Sequence, residues 1–117
     1  MNLVLFGTAA DRSELERSFS ALPEWCYRRI CIYDYRDYDS YIAGLREGSP
    51  DCVVVMMNGA AGMEGVIAAK NSGNRAPVLW FSDDNCFGAQ SYRLGCVYFH
   101  TKPLSPQVLS DGMAKLS

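Results

Sequence analysis

The chain has no apolar run near the roughly 20 residues that a membrane-spanning helix needs, and it contains a single histidine, His100. The first lack argues against a helical membrane protein. The second leaves little material for a histidine-ligated metal or a catalytic triad, so His100, beside a strand pattern, is expected to pack in the core or at its rim. An excess of one charge is also lacking: 11 Lys plus Arg face 13 Asp plus Glu, a formal −2. No whole-domain positive field is therefore available for nucleic acid or anionic lipid, and direct nucleic-acid or membrane binding is not expected. Cys26, Cys31, Cys52, Cys86 and Cys96 are odd in number and without CxxC spacing. Zinc and redox-pair chemistry are thus disfavoured, and buried reduced thiols in a cytoplasmic protein are expected. The N-terminus enters a strand pattern at once, with no basic and then apolar signal segment.

What is present is a regular alternation. At 117 residues, 49% hydrophobic and 21% charged, the chain suits one globular domain, residues 1–117. The apolar run NLVLF (2–6) ends at Gly7 and gives way to Leu15, Phe19 and Leu22 at helical spacing. Asp11 is expected to cap that helix with Glu14 as its reciprocal acid, and Pro23 to close it. RRICIYDY (28–35) reads as a second strand, and residues 40–47, with Tyr41, Ile42 and Leu45 on one face, as a second helix. CVVVMM (52–57) is continuously apolar, as a strand covered on both faces must be. Residues 59–62 read as a turn before a helix to about Lys70. PVLWFS (77–82), a helix over 87–94 ended by Gly95, and CVYFH (96–100) follow. Ser105 and Pro106 then read as N-cap and first residue of a last helix, with Val108, Leu109, Met113 and Leu116 on its apolar side.

Five strands alternating with five helices across short loops predict a flavodoxin-like (βα)5 three-layer sandwich, a parallel sheet between two helical layers. The common order for five strands is 2-1-3-4-5. Ligands in such sheets gather at the C-terminal strand tips, here Gly7 and Thr8 after strand 1 and Met56 and Met57 at the end of strand 3.

The stretch 81–109, FSDDNCFGAQSYRLGCVYFHTKPLSPQVL, resembles the second half of a response-regulator receiver domain of the CheY type. The matching positions are Ser82 closing strand 4, the aromatic Phe99 in strand 5, and the pair Lys102-Pro103. Phe87, Tyr92, Leu94 and Gly95 between them are similar to receivers of LytTR-type transcription regulators. Upstream, Pro50-Asp51 and residues 62–65 resemble the segments flanking the family's phosphoacceptor, with one residue inserted. The resemblance implies a phosphoryl-accepting Asp at the tip of strand 3 and two acids after strand 1 that hold Mg²⁺, a cation that wants hard oxygen ligands. In this chain the acids fall on Gly7 and Thr8, and the acceptor on Met56 or Met57. A thioether neither forms an acyl phosphate nor suits Mg²⁺, so neither metal nor cofactor is expected, and no enzymatic activity. Ser82 and Lys102 occupy the positions that meet phosphoryl oxygens in the family. Without carboxylate partners there, Lys102 must reach solvent, bind a small anion or pair with a displaced acid. The resemblance also implies a cis Lys102-Pro103 bond. Asp83 and Asp84 read as helix-start charges.

Two readings of function follow. In the first, the chain is a pseudo-receiver, the N-terminal part of a longer transcription regulator of the two-component type. It would act by contact with a protein partner or a second copy through its fourth helix, fifth strand and fifth helix, where Tyr92, Arg93 and Tyr98 are candidate contact residues. In the second, the loop between Gly7 and Ser13 cradles a flavin or nucleotide phosphate at a helix N-terminus, although no GxxxxGK[ST] pattern supports it. Phosphoryl transfer to an unusual residue is a third possibility.

Overall fold

The computed structural model describes residues 1–26 and 29–116, Cys26 by its backbone alone. Arg28, where the second strand was expected to begin, lies outside the described residues. The strands are β1 (Asn2–Phe6), β2 (Cys31–Tyr35), β3 (Cys52–Val55), β4 (Val78–Ser82) and β5 (Tyr98–Thr101). The five longer helices among the described residues are α1 (Ala9–Ser20), α2 (Tyr38–Glu47), α3 (Gly59–Asn71), α4 (Gly88–Leu94) and α5 (Pro106–Met113). All neighbouring strands are parallel, in the order β2-β1-β3-β4-β5. This is the doubly wound flavodoxin-like arrangement that the alternation predicts.

Period-2 alternation along the strands divides the core in two. Leu3, Leu5, Cys52, Val54, Met56, Leu79 and Phe81 face α1 and α5, where they meet Leu15, Leu109 and Met113. Val4, Phe6, Val53, Val55, Val78 and Trp80 face the other layer and meet Tyr41, Leu45, Val66 and Ala69. β3 and β4 are buried along their whole length, which is why both read as unbroken apolar runs. On the second face Tyr41 stacks on Phe6 at 4.3 Å and donates its hydroxyl to the Gly65 carbonyl at 2.7 Å.

Several local expectations are corrected. The N-cap of α1 is Thr8, whose hydroxyl accepts the Asp11 N–H while the Asp11 carboxylate accepts the Thr8 N–H. Asp11 is thus the reciprocal acid of the capping box rather than its cap. Glu14 accepts the backbone N–H of Leu104 at 2.6 Å instead. Pro23 does not close α1; it opens a separate helical turn, Pro23–Cys26. Residues 59–62 are not a turn but the first turn of α3, entered through Gly59 at φ +64°. A 3-10 turn, Asn85–Phe87, precedes α4. Ser105 and Pro106 start α5 as expected, with the Ser105 hydroxyl accepting the Val108 N–H. Among the described cysteines only Cys52 is fully buried; Cys31 and Cys96 are half-buried and Cys86 is exposed, so the expectation of buried thiols fails for three positions.

Candidate functional site

The parallel ladder sets the tips of the central strands side by side. Phe6 pairs with Val55, and the Met56 N–H continues the ladder to the Phe6 carbonyl at 2.8 Å. Met56, not Met57, is therefore the strand-tip residue beside Gly7. Met56 is completely buried in the core facing α1 and α5, whereas Met57 packs against the opposite face. On the other flank, the Lys102 N–H bonds to the Ser82 carbonyl at 2.8 Å, which places Lys102 next to the end of β4. The Lys102-Pro103 bond is cis.

The carboxylate missing from the strand tips is supplied by α1. Asp11 is buried against Gly7: a Cβ built on Gly7 would lie 3.0 Å from both the Asp11 Cβ and Oδ2, and 3.3 Å from the Met56 Cβ. The absent side chain at Gly7 is thus the space that Asp11 fills. Its Oδ2 accepts the Thr8 N–H at 2.9 Å, and its Oδ1 accepts Lys102 Nζ at 3.0 Å. Lys102 Nζ also donates to the Asn58 side-chain oxygen at 2.8 Å and to the Met56 carbonyl. Of the three fates open to Lys102, pairing with a displaced acid is the one realised. The Lys102 and Asp11 side chains are only 16% and 9% exposed, so two opposite charges satisfy one another largely away from water.

Ser82 is fully buried, its hydroxyl 3.3 Å from the Asp83 carboxylate and accepting the Asp84 N–H at 3.2 Å. Asp84 caps the 3-10 turn through the Cys86 N–H, which holds its carboxyl below the usual range. Asp83 departs from its expected role: it accepts the Gly59 N–H at 3.1 Å and so serves the start of α3, across the pocket from its own loop. Phe99 turns inward, edge-on to Trp80 at 5.3 Å. His100 is exposed and lies parallel to Tyr98 at 6.3 Å, at the surface rather than in the core. Tyr92 is 87% exposed and Arg93 is exposed, while Tyr98 is half-buried and lies over Gly112.

The Mg²⁺ implied by the receiver resemblance does not fit these residues. Gly7 and Met56 offer no hard oxygen in their side chains, the Thr8 hydroxyl accepts the Asp11 N–H, the Asp11 carboxylate holds an ammonium, and the Asp83 carboxylate accepts the Gly59 N–H. Among the described residues no group of three or more His, Cys, Asp or Glu is placed to hold a metal ion. Read from the sequence, Asp11 was a capping residue. The signal that could have found Asp11 is Gly7 at a strand tip with an acid one helical turn later.

No family model matches the sequence, and no curated protein matches it. Solved structures do. A pilus assembly protein CpaE from Caulobacter crescentus aligns at TM-score 0.77 and 12% identity, over 99% of this chain and 98% of that one. The chemotaxis response regulator CheY4 of Vibrio cholerae aligns at 0.75 and 14%, over 99% and 97%. A response regulator receiver protein from Burkholderia phymatum aligns at 0.68 and 21%, over 98% and 94%. At such identities the likeness carries the fold, and the fold of this chain is that of a response-regulator receiver domain.

Proposed function

We propose that the chain is a pseudo-receiver, a signalling module of the two-component type that works by protein contact and not by phosphorylation of an aspartate. The observation that carries this reading is the pairing of Lys102 with Asp11 at a strand-tip cluster of Gly7, Thr8 and Met56. The phosphoryl-facing lysine has an internal partner, and nothing at the tip of β3 can accept a phosphoryl group. The partner, a protein or a second copy, would dock on the face made by α4, β5 and α5. Tyr92, Arg93 and Val97 are exposed there, and an exposed aromatic beside an arginine is the composition that contact surfaces favour. The resemblance of the sequence between Phe87 and Gly95 to LytTR-type receivers supports a transcription-regulator setting. The CpaE likeness makes an assembly protein the other setting to consider. In either the domain would work in the cytoplasm.

The flavin or nucleotide reading is less well supported, because two donors of the loop after β1 are already bonded within the chain. The Thr8 N–H goes to the Asp11 carboxylate and the Gly7 N–H to the Tyr35 carbonyl, and a buried carboxylate beside the start of α1 repels phosphate.

Incubation with acetyl phosphate and Mg²⁺, followed by intact mass, tests the proposal. An unmodified mass is expected; an acid-stable or hydroxylamine-labile phosphoryl adduct on the wild-type chain overturns it. For the face, Tyr92→Glu should abolish self-association or partner capture while leaving the circular dichroism spectrum unchanged. Unaltered association would move the contact elsewhere.

A further inference from the structure

The surroundings of Lys102 Nζ carry a more specific statement about the pocket. Three oxygens from three separate segments converge on this nitrogen: the Asp11 carboxylate from α1 at 3.0 Å, the Asn58 amide oxygen before α3 at 2.8 Å, and the Met56 backbone carbonyl at the end of β3. An ammonium has three N–H donors and no acceptor, so donors and acceptors match one for one. A carboxylate, an amide oxygen and a backbone carbonyl around one positive centre form the ligand set of a hard cation.

We propose, building on the pseudo-receiver reading, that the Lys102 ammonium is the resident cation of this pocket: it is tethered by the chain, fills the oxygen cage and keeps divalent ions out. Gly7 is part of the same arrangement, since any side chain there would meet the Asp11 carboxylate that completes the cage. The backbone of Leu104, two residues past the lysine, is tied to Glu14 of α1 at 2.6 Å. The segment that bears the ammonium and the helix that bears its counter-ion are therefore joined at two points. Binding of a small anion by Lys102 is disfavoured in this state, because no N–H is left to receive it.

Mn²⁺ is the probe. In the wild-type chain it should cause no selective paramagnetic broadening of the amides of Thr8, Met57 and Asn58 and no saturable rise in melting temperature at matched ionic strength. Lys102→Ala removes the like charge and leaves the oxygens, so its apparent Mn²⁺ affinity should exceed that of wild type by about tenfold or more. The double variant Asp11→Asn with Lys102→Ala should lose that gain. Selective broadening in wild type, no gain in a folded Lys102→Ala protein, or a gain that survives removal of the Asp11 carboxylate would each overturn the proposal. If Lys102→Ala does not fold, the wild-type Nζ resonance decides: a caged ammonium shows slowly exchanging NH3⁺ protons, and exchange as fast as that of free lysine overturns it. A phosphoryl adduct on wild type would defeat the parent reading whatever the metal does, whereas failure of the Mn²⁺ arms alone defeats only the tethered cation.

Discussion

A single missing side chain decides what the strand-tip pocket can hold. Gly7 makes room for Asp11, and Asp11 in turn holds Lys102. Introducing an acid by Gly7→Asp would therefore not create a metal site. The new Cβ would sit 3.0 Å from the Asp11 carboxylate and 3.3 Å from the Met56 Cβ, and two carboxylates would share one ammonium. The expected result is a loss of about 1–3 kcal/mol of stability from overpacking alone, read as a lower urea midpoint, with no gain in Mg²⁺ response. Asp11→Asn keeps the shape but removes the negative charge. The ammonium would be left with neutral acceptors in a half-buried place, at an expected cost of about 1.5–3 kcal/mol, the range for hydrogen bonds to charged groups. Equal midpoints for Asp11→Asn and wild type would mean that the pair contributes nothing.

At the scale of elements, close approach of α3 to the sheet depends on Gly65. A Cβ there would meet the Phe6 ring at 2.5 Å, and the Gly65 carbonyl accepts the Tyr41 hydroxyl from α2. Gly65→Ala should push α3 outward, lengthen that bond and cost roughly 1–3 kcal/mol. The comparison is Gly95→Ala at the end of α4. Its Cβ finds only the flexible Lys70 side chain at 3.6 Å, but the backbone is left-handed at φ +76°, so about 1–2 kcal/mol of conformational strain is expected. The two variants separate steric from torsional cost: only Gly65→Ala should alter the near-ultraviolet signal of the aromatic layer around Phe6 and Tyr41. A changed signal in Gly95→Ala as well would show that α4 shifts with its cap.

The molecule as a whole should be sensitive to alkali. Burial pushes the Cys52 thiol from its ordinary 9.0 up to about 12, and it raises the Tyr41 hydroxyl well above its ordinary 10.0. Both groups are neutral acids inside the fold. Above about pH 9 the unfolded chain sheds the thiol proton while the native chain keeps it, and above about pH 10 the same holds for the phenol. Unfolding then releases protons, so stability is fully present below pH 9 and falls as pH rises. The urea midpoint should decline from about pH 9 upward. Cys52→Ala should flatten the part between pH 9 and 12, and Tyr41→Phe the part above 10. A decline of the same slope in both variants would assign the effect to other groups.

The order of strands and helices was legible in the sequence because burial on both faces writes β3 and β4 as unbroken apolar runs, while Gly95, Ser105 and Pro106 punctuate the chain by purely local backbone preferences. That no acid stands at Gly7, Thr8, Met56 or Met57 was equally legible, since the residues themselves say it; choosing Met56 over Met57 took the ladder. Local reading failed where two partners competed for one group. Asp11 and Glu14 read as a cap and its reciprocal, yet Thr8 supplies the cap and Glu14 turns to Leu104; Asp83 leaves its own turn for the start of α3. The fate of Lys102 was undecided for the same reason. Its three acceptors lie 91, 46 and 44 residues away along the chain. Propensity and periodicity act over a few residues, whereas a charge in a pocket is settled by whichever oxygens the folded sheet brings within reach, and only the tertiary structure could choose them.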